Sequence, residues 1–277
     1  MGVMKEAGKN VLSGVVIGAS MLLPGVSGGT TAIMLGIYDH LIGAVSGVRR
    51  KPKKSLLLLS QVAFGGIAGV LLLAKVVLRA TEIFYFPMRC LFMGLILGSV
   101  PMLVKKAGVT VRKLPLLLFG VLGVGTAVGL ALLPPLQAGS VGGFGLLLCG
   151  LLIAVALVLP GISTSHLLLA LGMYEPVLEA VSRMDLPFLG LLASGILAGI
   201  FLCAKFLEKA MQRFPTACYL LITGFVLASV YELHPGVPTG ADVLPSLLTF
   251  ATGFSGMVMI TSFHETKQAA KKVKIGL

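Results

Sequence analysis

A short polar segment interrupts an apolar stretch near the start of the chain. In LLPGVSGGTTAIMLGIYD, which begins at Leu22, a proline, several glycines and three hydroxyl residues stand where a spanning helix would be uniformly apolar. Pro24 and Gly25 are expected to end one helix. The residues after them suit the cap and first turn of another: Ser27, Gly28, Gly29, Thr30 and Thr31. Such a turn exposes N–H groups and the positive end of a helix dipole, so the segment predicts an anion-binding site.

The same arrangement recurs 136 positions later. Residues 14–46 align without gaps to residues 150–182, with 12 of 33 positions identical. Pro160 and Gly161 repeat the break, and the polar residues that follow it are Ser163, Thr164, Ser165 and His166. Shared apolar composition would give fewer identities, so the alignment indicates an internal repeat. Weaker matches continue along the chain and predict two halves, residues 1–136 and 137–277.

The composition places these segments in a membrane. Hydrophobic residues make up 57% of the chain and charged residues 12%, with a mean hydropathy of +1.03. Six apolar stretches have the length of about 20 residues that crosses a bilayer as a helix: 55–78, 86–104, 114–133, 187–206, 216–230 and 243–263. Two further stretches, 10–46 and 141–182, contain the breaks. We predict an all-α polytopic membrane protein without a separate soluble domain or a cleaved signal peptide.

The positions of the basic residues orient this arrangement. If each broken stretch is a re-entrant hairpin, each half adds three crossings, and the second half is inverted relative to the first. Most of the 22 lysine and arginine residues then lie on one face, which the positive-inside rule makes cytoplasmic, with both termini there. The net charge of +12 is thereby explained without a nucleic-acid partner. A full double crossing of each broken stretch, giving ten crossings, is the alternative and leaves the orientation unchanged.

Three basic residues are candidates for binding an anionic group as it passes through the apolar interior. Lys75 and Lys205 occupy matched positions in the two halves, and Arg89 lies early in an apolar helix. Arginine can hold a phosphate with two donors, so Arg89 is the leading candidate. The four cysteines lack metal-ligand spacing, and no paired nucleophile and base is present. We therefore predict no metal, no cofactor and no catalytic residue.

The sequence resembles a known family. The segments PGVSGGT and LGIYDHLI, repeated as PGIS and LGMYEPVL, resemble the bacterial polyprenyl-phosphate transporters, formerly a domain of unknown function. The resemblance implies a flippase of the inner membrane. It would return undecaprenyl phosphate from the outer to the inner leaflet, recycling the lipid carrier of cell-wall synthesis. Thr164, Ser165 and His166 depart from the glycine-rich pattern of the first motif, which leaves open whether the two tips contribute equally.

Broken helices in inverted repeats favour a transporter site whether or not the resemblance holds. A channel or exchanger for a small inorganic anion is the alternative, since helix N-termini near the midplane would serve it too. A membrane-embedded enzyme ranks third. The sequence leaves open the exact lipid, the oligomeric state and coupling to a proton or sodium gradient.

Overall fold

The computed structural model describes residues 2–22, 26–110, 115–132 and 142–275. Within these ranges the regular structure is helical and no strand is present. The helices are α1 Gly2–Ser20, α2 Gly28–Met34, α3 Tyr38–Ser46, α4 Pro52–Ile83, α5 Tyr85–Ala107, α6 Leu117–Ala131, α7 Gly143–Val158, α8 Thr164–Ala170, α9 Tyr174–Ser182, α10 Leu186–Arg213, α11 Pro215–Leu233 and α12 Val243–Ile275. The prediction of an all-α protein is confirmed.

Five helical segments have the length and apolar composition needed to cross a membrane. They are Pro52–Ile83, Tyr85–Ala107, Leu186–Arg213, Pro215–Leu233 and Gly240–Phe263, which match five of the six predicted spans. Their large apolar side chains are widely exposed, as a lipid-facing surface requires. The sixth predicted span, 114–133, is represented by α6, an apolar helix of 15 residues whose flanking residues 111–114 and 133–141 lie outside the described ranges.

Glycines bring two pairs of helices into close contact. α1 packs along α4, and a Cβ atom added at Gly18 would collide with the backbone of Gly66. α7 packs along α10 in the same manner, where Gly150 and Gly195 face each other's backbone. Small residues at these positions allow close backbone approach.

Two helices form the centre of the molecule. α5 packs against α11, and each has its most extensive contact with another helix, α12 for α5 and α6 for α11. The core here includes Ile96 and Leu103 of α5 with Ile222 and Val226 of α11, all of them buried. This centre supports the broken stretches, because α2 contacts α5.

Each broken stretch contains an interruption that the sequence reading did not predict. Gly36 has a φ of +67° and separates α2 from α3, and Gly172 has a φ of +65° and separates α8 from α9. Glycine adopts this left-handed conformation without the steric cost that a side chain adds. Each stretch is therefore three helices, where the Pro-Gly pairs alone indicated two.

Candidate functional site

The first break forms a capped helix start. Ser27 is the N-cap of α2, with extended backbone, and its Oγ accepts a hydrogen bond from the Thr30 N–H at 3.1 Å. This confirms the predicted cap and first turn. Thr31 is tied to the end of α1, because its hydroxyl lies 2.7 Å from the Ser20 hydroxyl. Pro24 and Gly25 lie outside the described residues. We call residues 26–31 the first tip.

The second break lies at Pro160 and Gly161, as predicted. α7 ends at Val158, and Gly161 has a φ of +80°. A Cβ atom at Gly161 would collide with the Phe225 carbonyl of α11, so both conformation and space require glycine. α8 begins at Thr164 and includes the backbone of Ser165 and His166, whose side chains lie outside the described part. We call residues 159–164 the second tip.

The structure joins the two tips. The buried Gly161 N–H donates to the Thr30 Oγ1 at 2.9 Å and to the Ser27 Oγ at 3.1 Å. The two hydroxyls also bond to each other at 2.8 Å. Gly29 completes the joint, because its added Cβ would stand only 3.0 Å from the Pro160 Cα. Thr30 is fully buried, so its hydroxyl holds the joint together and does not face the cavity described next.

A cavity of about 610 Å³ reaches this joint. Its walls are mainly apolar side chains from α1, α3, α4, α7 and α10, such as Ile17, Leu41, Leu59 and Ile200. Its polar lining comes chiefly from the tips, through Ser27, Gly28, Gly29, Ser163 and Thr164. As the first residues of α2, Gly28 and Gly29 have N–H groups that no carbonyl of that helix accepts. The tip cavity therefore combines apolar walls with polar groups concentrated at the tips.

Tyr38 is a member of this site that the sequence analysis did not identify. Its side chain is only 4% exposed and lines the tip cavity. Its hydroxyl donates to the Val158 carbonyl at 2.9 Å, at the end of α7. That carbonyl is one of the last in its helix and has no N–H partner there. The only local sequence feature that could have indicated this role is a tyrosine two residues after Gly36, a pattern that the second broken stretch repeats.

The predicted cations lie away from the tip cavity. Lys75 on α4 and Lys205 on α10 are exposed, and neither lines it. Arg89 is half-buried at the start of α5 and also lies outside its lining. Its guanidinium stacks 4.7 Å from the centre of the Tyr85 ring, and its Nη1 lies 3.5 Å from the Leu233 carbonyl. The structure thus brings the two tips together but places these three cations outside the lining of the tip cavity.

The two broken stretches differ in how their third helices are held. α3 is bonded to three other helices: Asp39 accepts from Lys106 of α5 at 2.7 Å and from Tyr219 of α11 at 3.1 Å, and Ser46 donates to Glu208 of α10 at 2.5 Å. The matched residues of α9 lack such bonds in the described part of the chain. Tyr174 is 43% exposed, and the Ser182 hydroxyl donates within its own helix.

Among the described residues, no group of three or more His, Cys, Asp or Glu side chains could hold a metal ion. A sequence profile of the family described as "VCA0040-like: Undecaprenyl phosphate translocase-like" matches residues 17–247. This range includes both tips, four of the five candidate spans and the first residues of the fifth. The chain belongs to this translocase-like family. No solved structure matches the chain significantly.

Two relatives of this chain have the same name. The Polyprenyl-phosphate transporter of Vibrio cholerae serotype O1 is 31% identical over 241 residues, covering 81% of this chain and 76% of the relative. The Polyprenyl-phosphate transporter of Staphylococcus aureus is 31% identical over 263 residues, covering 88% of this chain and 93% of the relative. Both names describe transporters, and neither describes an enzyme.

Proposed function

We propose that this protein is a flippase for undecaprenyl phosphate or a similar polyprenyl phosphate. It would move the lipid from the outer to the inner leaflet of a bacterial inner membrane, so that the carrier is reused in cell-envelope synthesis. The observation that carries the proposal is the tip cavity, in which polar groups of Ser27, Gly28 and Ser163 lie among apolar walls. A phosphate on a long hydrocarbon chain matches this cavity, because its head group suits the polar groups and its chain suits the apolar walls. The names of the two relatives support the same substrate class.

The phosphate would contact the backbone at the tips. Gly28 and Gly29 leave room for a close approach and supply N–H donors, while Ser163 and Thr164 contribute from the second tip. A helix terminus contributes about 0.3 to 1 kcal/mol when exposed and up to about 2 kcal/mol when partly buried. α2 has seven residues, so its contribution belongs at the low end. Binding at the tips is therefore expected to be weak enough for the phosphate to leave again.

A full cation is still expected along the route. Arg89 remains our first candidate, with Lys75 and Lys205 next, although none of the three lines the tip cavity. In the proposed topology Lys75 and Arg89 lie towards the outer face, which suits capture of the head group before it reaches the tips, whereas Lys205 lies towards the cytoplasmic face. Thr31, Ser165 and His166 belong to the same proposed phosphate region by sequence. The Thr31 hydroxyl is already bonded to Ser20, so it acts there as a support of the first tip.

We infer two inverted repeats with re-entrant hairpins and both termini in the cytoplasm. Support comes from the matched packing of α1 on α4 and of α7 on α10. The helices after the breaks are also short: at about 1.5 Å per residue, the seven residues of α2 span only about 10 Å. Because the tips are bonded to each other, they share one depth, as two hairpins entering from opposite faces would. Labelling of cysteines placed in the 49–54 and 232–242 loops tests this topology, and labelling of both from one face would contradict it.

The apolar walls support the lipid over the alternative cargo. A small hydrated anion needs polar groups along its whole route to replace its water. A lipid phosphate needs them only for its head group, because its tail stays in hydrocarbon. The walls formed by residues such as Ile17, Leu59 and Ile200 therefore favour the lipid over an inorganic anion channel.

A matched pair of glycine variants tests the role of the tips. Gly28→Leu places a side chain at the tip cavity, next to the flexible Met21 side chain, where the fold can adjust. Gly125→Leu is the control, because nothing lies within 4 Å of its added Cβ. Both proteins are reconstituted at equal density, and movement of labelled undecaprenyl phosphate is followed. We expect Gly28→Leu to lose most transport and Gly125→Leu to retain it. Equal transport by the two variants would remove the first tip from the site.

A further inference from the structure

A second cavity lies beside the tip cavity and has a different lining. It measures about 540 Å³, is half open, and is lined by the start of α1, by α3 and by the first turns of α4. Its ionisable and amide side chains are Glu6, Lys9, Asn10, His40, Lys51, Lys54 and Gln61. We call it the cationic cavity. The polar side chains of the tip cavity, in contrast, are hydroxyl groups.

The lysines of the cationic cavity outnumber its acidic groups. Lys9, Lys51 and Lys54 have no carboxylate within ion-pair distance among the described residues. Glu6 is the single acidic residue of the lining, so the three lysines and Glu6 together have a formal charge of +2. Lysines near a membrane surface often only anchor the protein to anionic lipid. Here three exposed lysines from two helices line one half-open cavity, a convergence that a surface anchor does not require.

The two cavities are neighbours along the same helices. Leu41 of α3 lines both of them. On α4, Leu58 and Gln61 face the cationic cavity, while Leu59 and Val62 face the tip cavity. The Asn10 amide donates to the Gln61 side-chain oxygen at 2.8 Å and ties α1 to α4 at this wall. A group leaving the tips past Leu41 would therefore meet the cationic cavity next.

We propose that the cationic cavity is a second binding site for the phosphate of a lipid phosphomonoester, at the end of the route opposite to its entry. This inference rests on the proposed function. Three ammonium groups match a phosphomonoester, whose charge at neutral pH is between one and two negative units. A phosphodiester head group has one negative charge and is attracted less. The Glu6 carboxylate opposes the anion and keeps the site from holding it permanently.

Two triple variants separate this site from general surface charge. The test variant is Lys9→Gln with Lys51→Gln and Lys54→Gln, which neutralises the lining. The control variant is Arg50→Gln with Lys53→Gln and Lys209→Gln, which removes the same charge from exposed residues that line neither cavity. Lys54→Gln alone serves as a milder test variant if the triple variant is poorly folded.

The measurement is binding of farnesyl phosphate to each purified protein in neutral detergent, with inorganic phosphate and phosphatidylglycerol as competitors. We expect the test variant to bind at least about tenfold more weakly than the parent and the control variant to stay within about twofold. The single variant should lose about threefold. Neither competitor should displace farnesyl phosphate at equal concentration. Displacement by inorganic phosphate would mean that the site binds free anions. Equal losses of binding in both triple variants would mean that general surface charge attracts the ligand. Either result overturns the proposal.

Transport by the same proteins separates this inference from the proposed function. If the parent neither binds farnesyl phosphate nor transports undecaprenyl phosphate, the proposed function fails and this site fails with it. If the parent does both, and the test variant matches it in both, only the cationic cavity is removed from the route. We expect the test variant to bind farnesyl phosphate more weakly and to transport undecaprenyl phosphate more slowly than the parent, and the control variant to match the parent in both.

Discussion

The joint between the tips makes a quantitative prediction for Thr30→Val. Thr30 is fully buried, and its Oγ1 accepts from the Gly161 N–H at 2.9 Å and shares a bond with the Ser27 hydroxyl at 2.8 Å. Valine keeps nearly the same shape but removes both bonds. The Gly161 N–H retains the Ser27 Oγ at 3.1 Å, so it is not left without an acceptor.

The expected loss follows from these two bonds. A typical internal hydrogen bond contributes about 0.5 to 1.5 kcal/mol, so losing two lowers the free energy of unfolding by about 1 to 3 kcal/mol. The control is Thr252→Val, because Thr252 is exposed and its hydroxyl donates only to Leu248 in its own helix. A surface change of that kind usually stays within about 0.5 kcal/mol.

Unfolding in mixed micelles with increasing sodium dodecyl sulfate measures this difference. Because the chain contains no tryptophan, loss of helical circular dichroism is the signal to follow. The reasoning predicts a lower midpoint for Thr30→Val and an unchanged one for Thr252→Val. Equal midpoints for the two variants would mean that the hydroxyl bonds do not hold the tips together.

Three further predictions use the same preparations. Gly161→Ala should lower the free energy of unfolding by about 2 to 5 kcal/mol, because Gly161 has a positive φ and its added Cβ would collide with the Phe225 carbonyl. Gly129→Ala is the control and should raise the free energy of unfolding by about 0.5 to 1 kcal/mol, because nothing lies near its added Cβ. The opposite order of stability would contradict the packing at the second tip. Tyr38→Phe should lower the free energy of unfolding by about 1 kcal/mol, because the hydrogen bond to the Val158 carbonyl is lost. An unchanged free energy of unfolding would mean that this bond does not stabilise the fold. Arg89→Gln should transport much less labelled lipid than Arg89→Lys, and parent-like transport by the glutamine variant would leave Arg89 as an anchor only.

Local chemistry made part of this site predictable from sequence. A serine after a Pro-Gly break, followed by small residues, has the composition of an N-cap and first turn, and Ser27 acts as that cap. The spans were equally predictable, because length and apolar composition alone define them. The second interruption, at Gly36, was missed because one glycine in an apolar stretch is equally consistent with helix packing.

Contacts between distant residues could not be predicted. Thr30 and Gly161 are separated by 131 positions, and Tyr38 and Val158 by 120. The repeat suggested that the two tips would resemble each other, but it contains no information on which hydroxyl bonds to which backbone. The cationic cavity was missed for a related reason: its lysines were interpreted only as flanking charges, since their convergence around one volume depends on how α1 packs against α4.

Movement of the lipid itself tests the central claim most directly. The unaltered protein is reconstituted in vesicles with labelled undecaprenyl phosphate in both leaflets, and an impermeant phosphatase reports which head groups reach the outside. We predict that the protein exposes the inner-leaflet pool as well, while protein-free vesicles expose only the outer pool and labelled phosphatidylglycerol does not move. An inner pool that stays protected in vesicles with correctly inserted protein, or equal movement of phosphatidylglycerol, would contradict it.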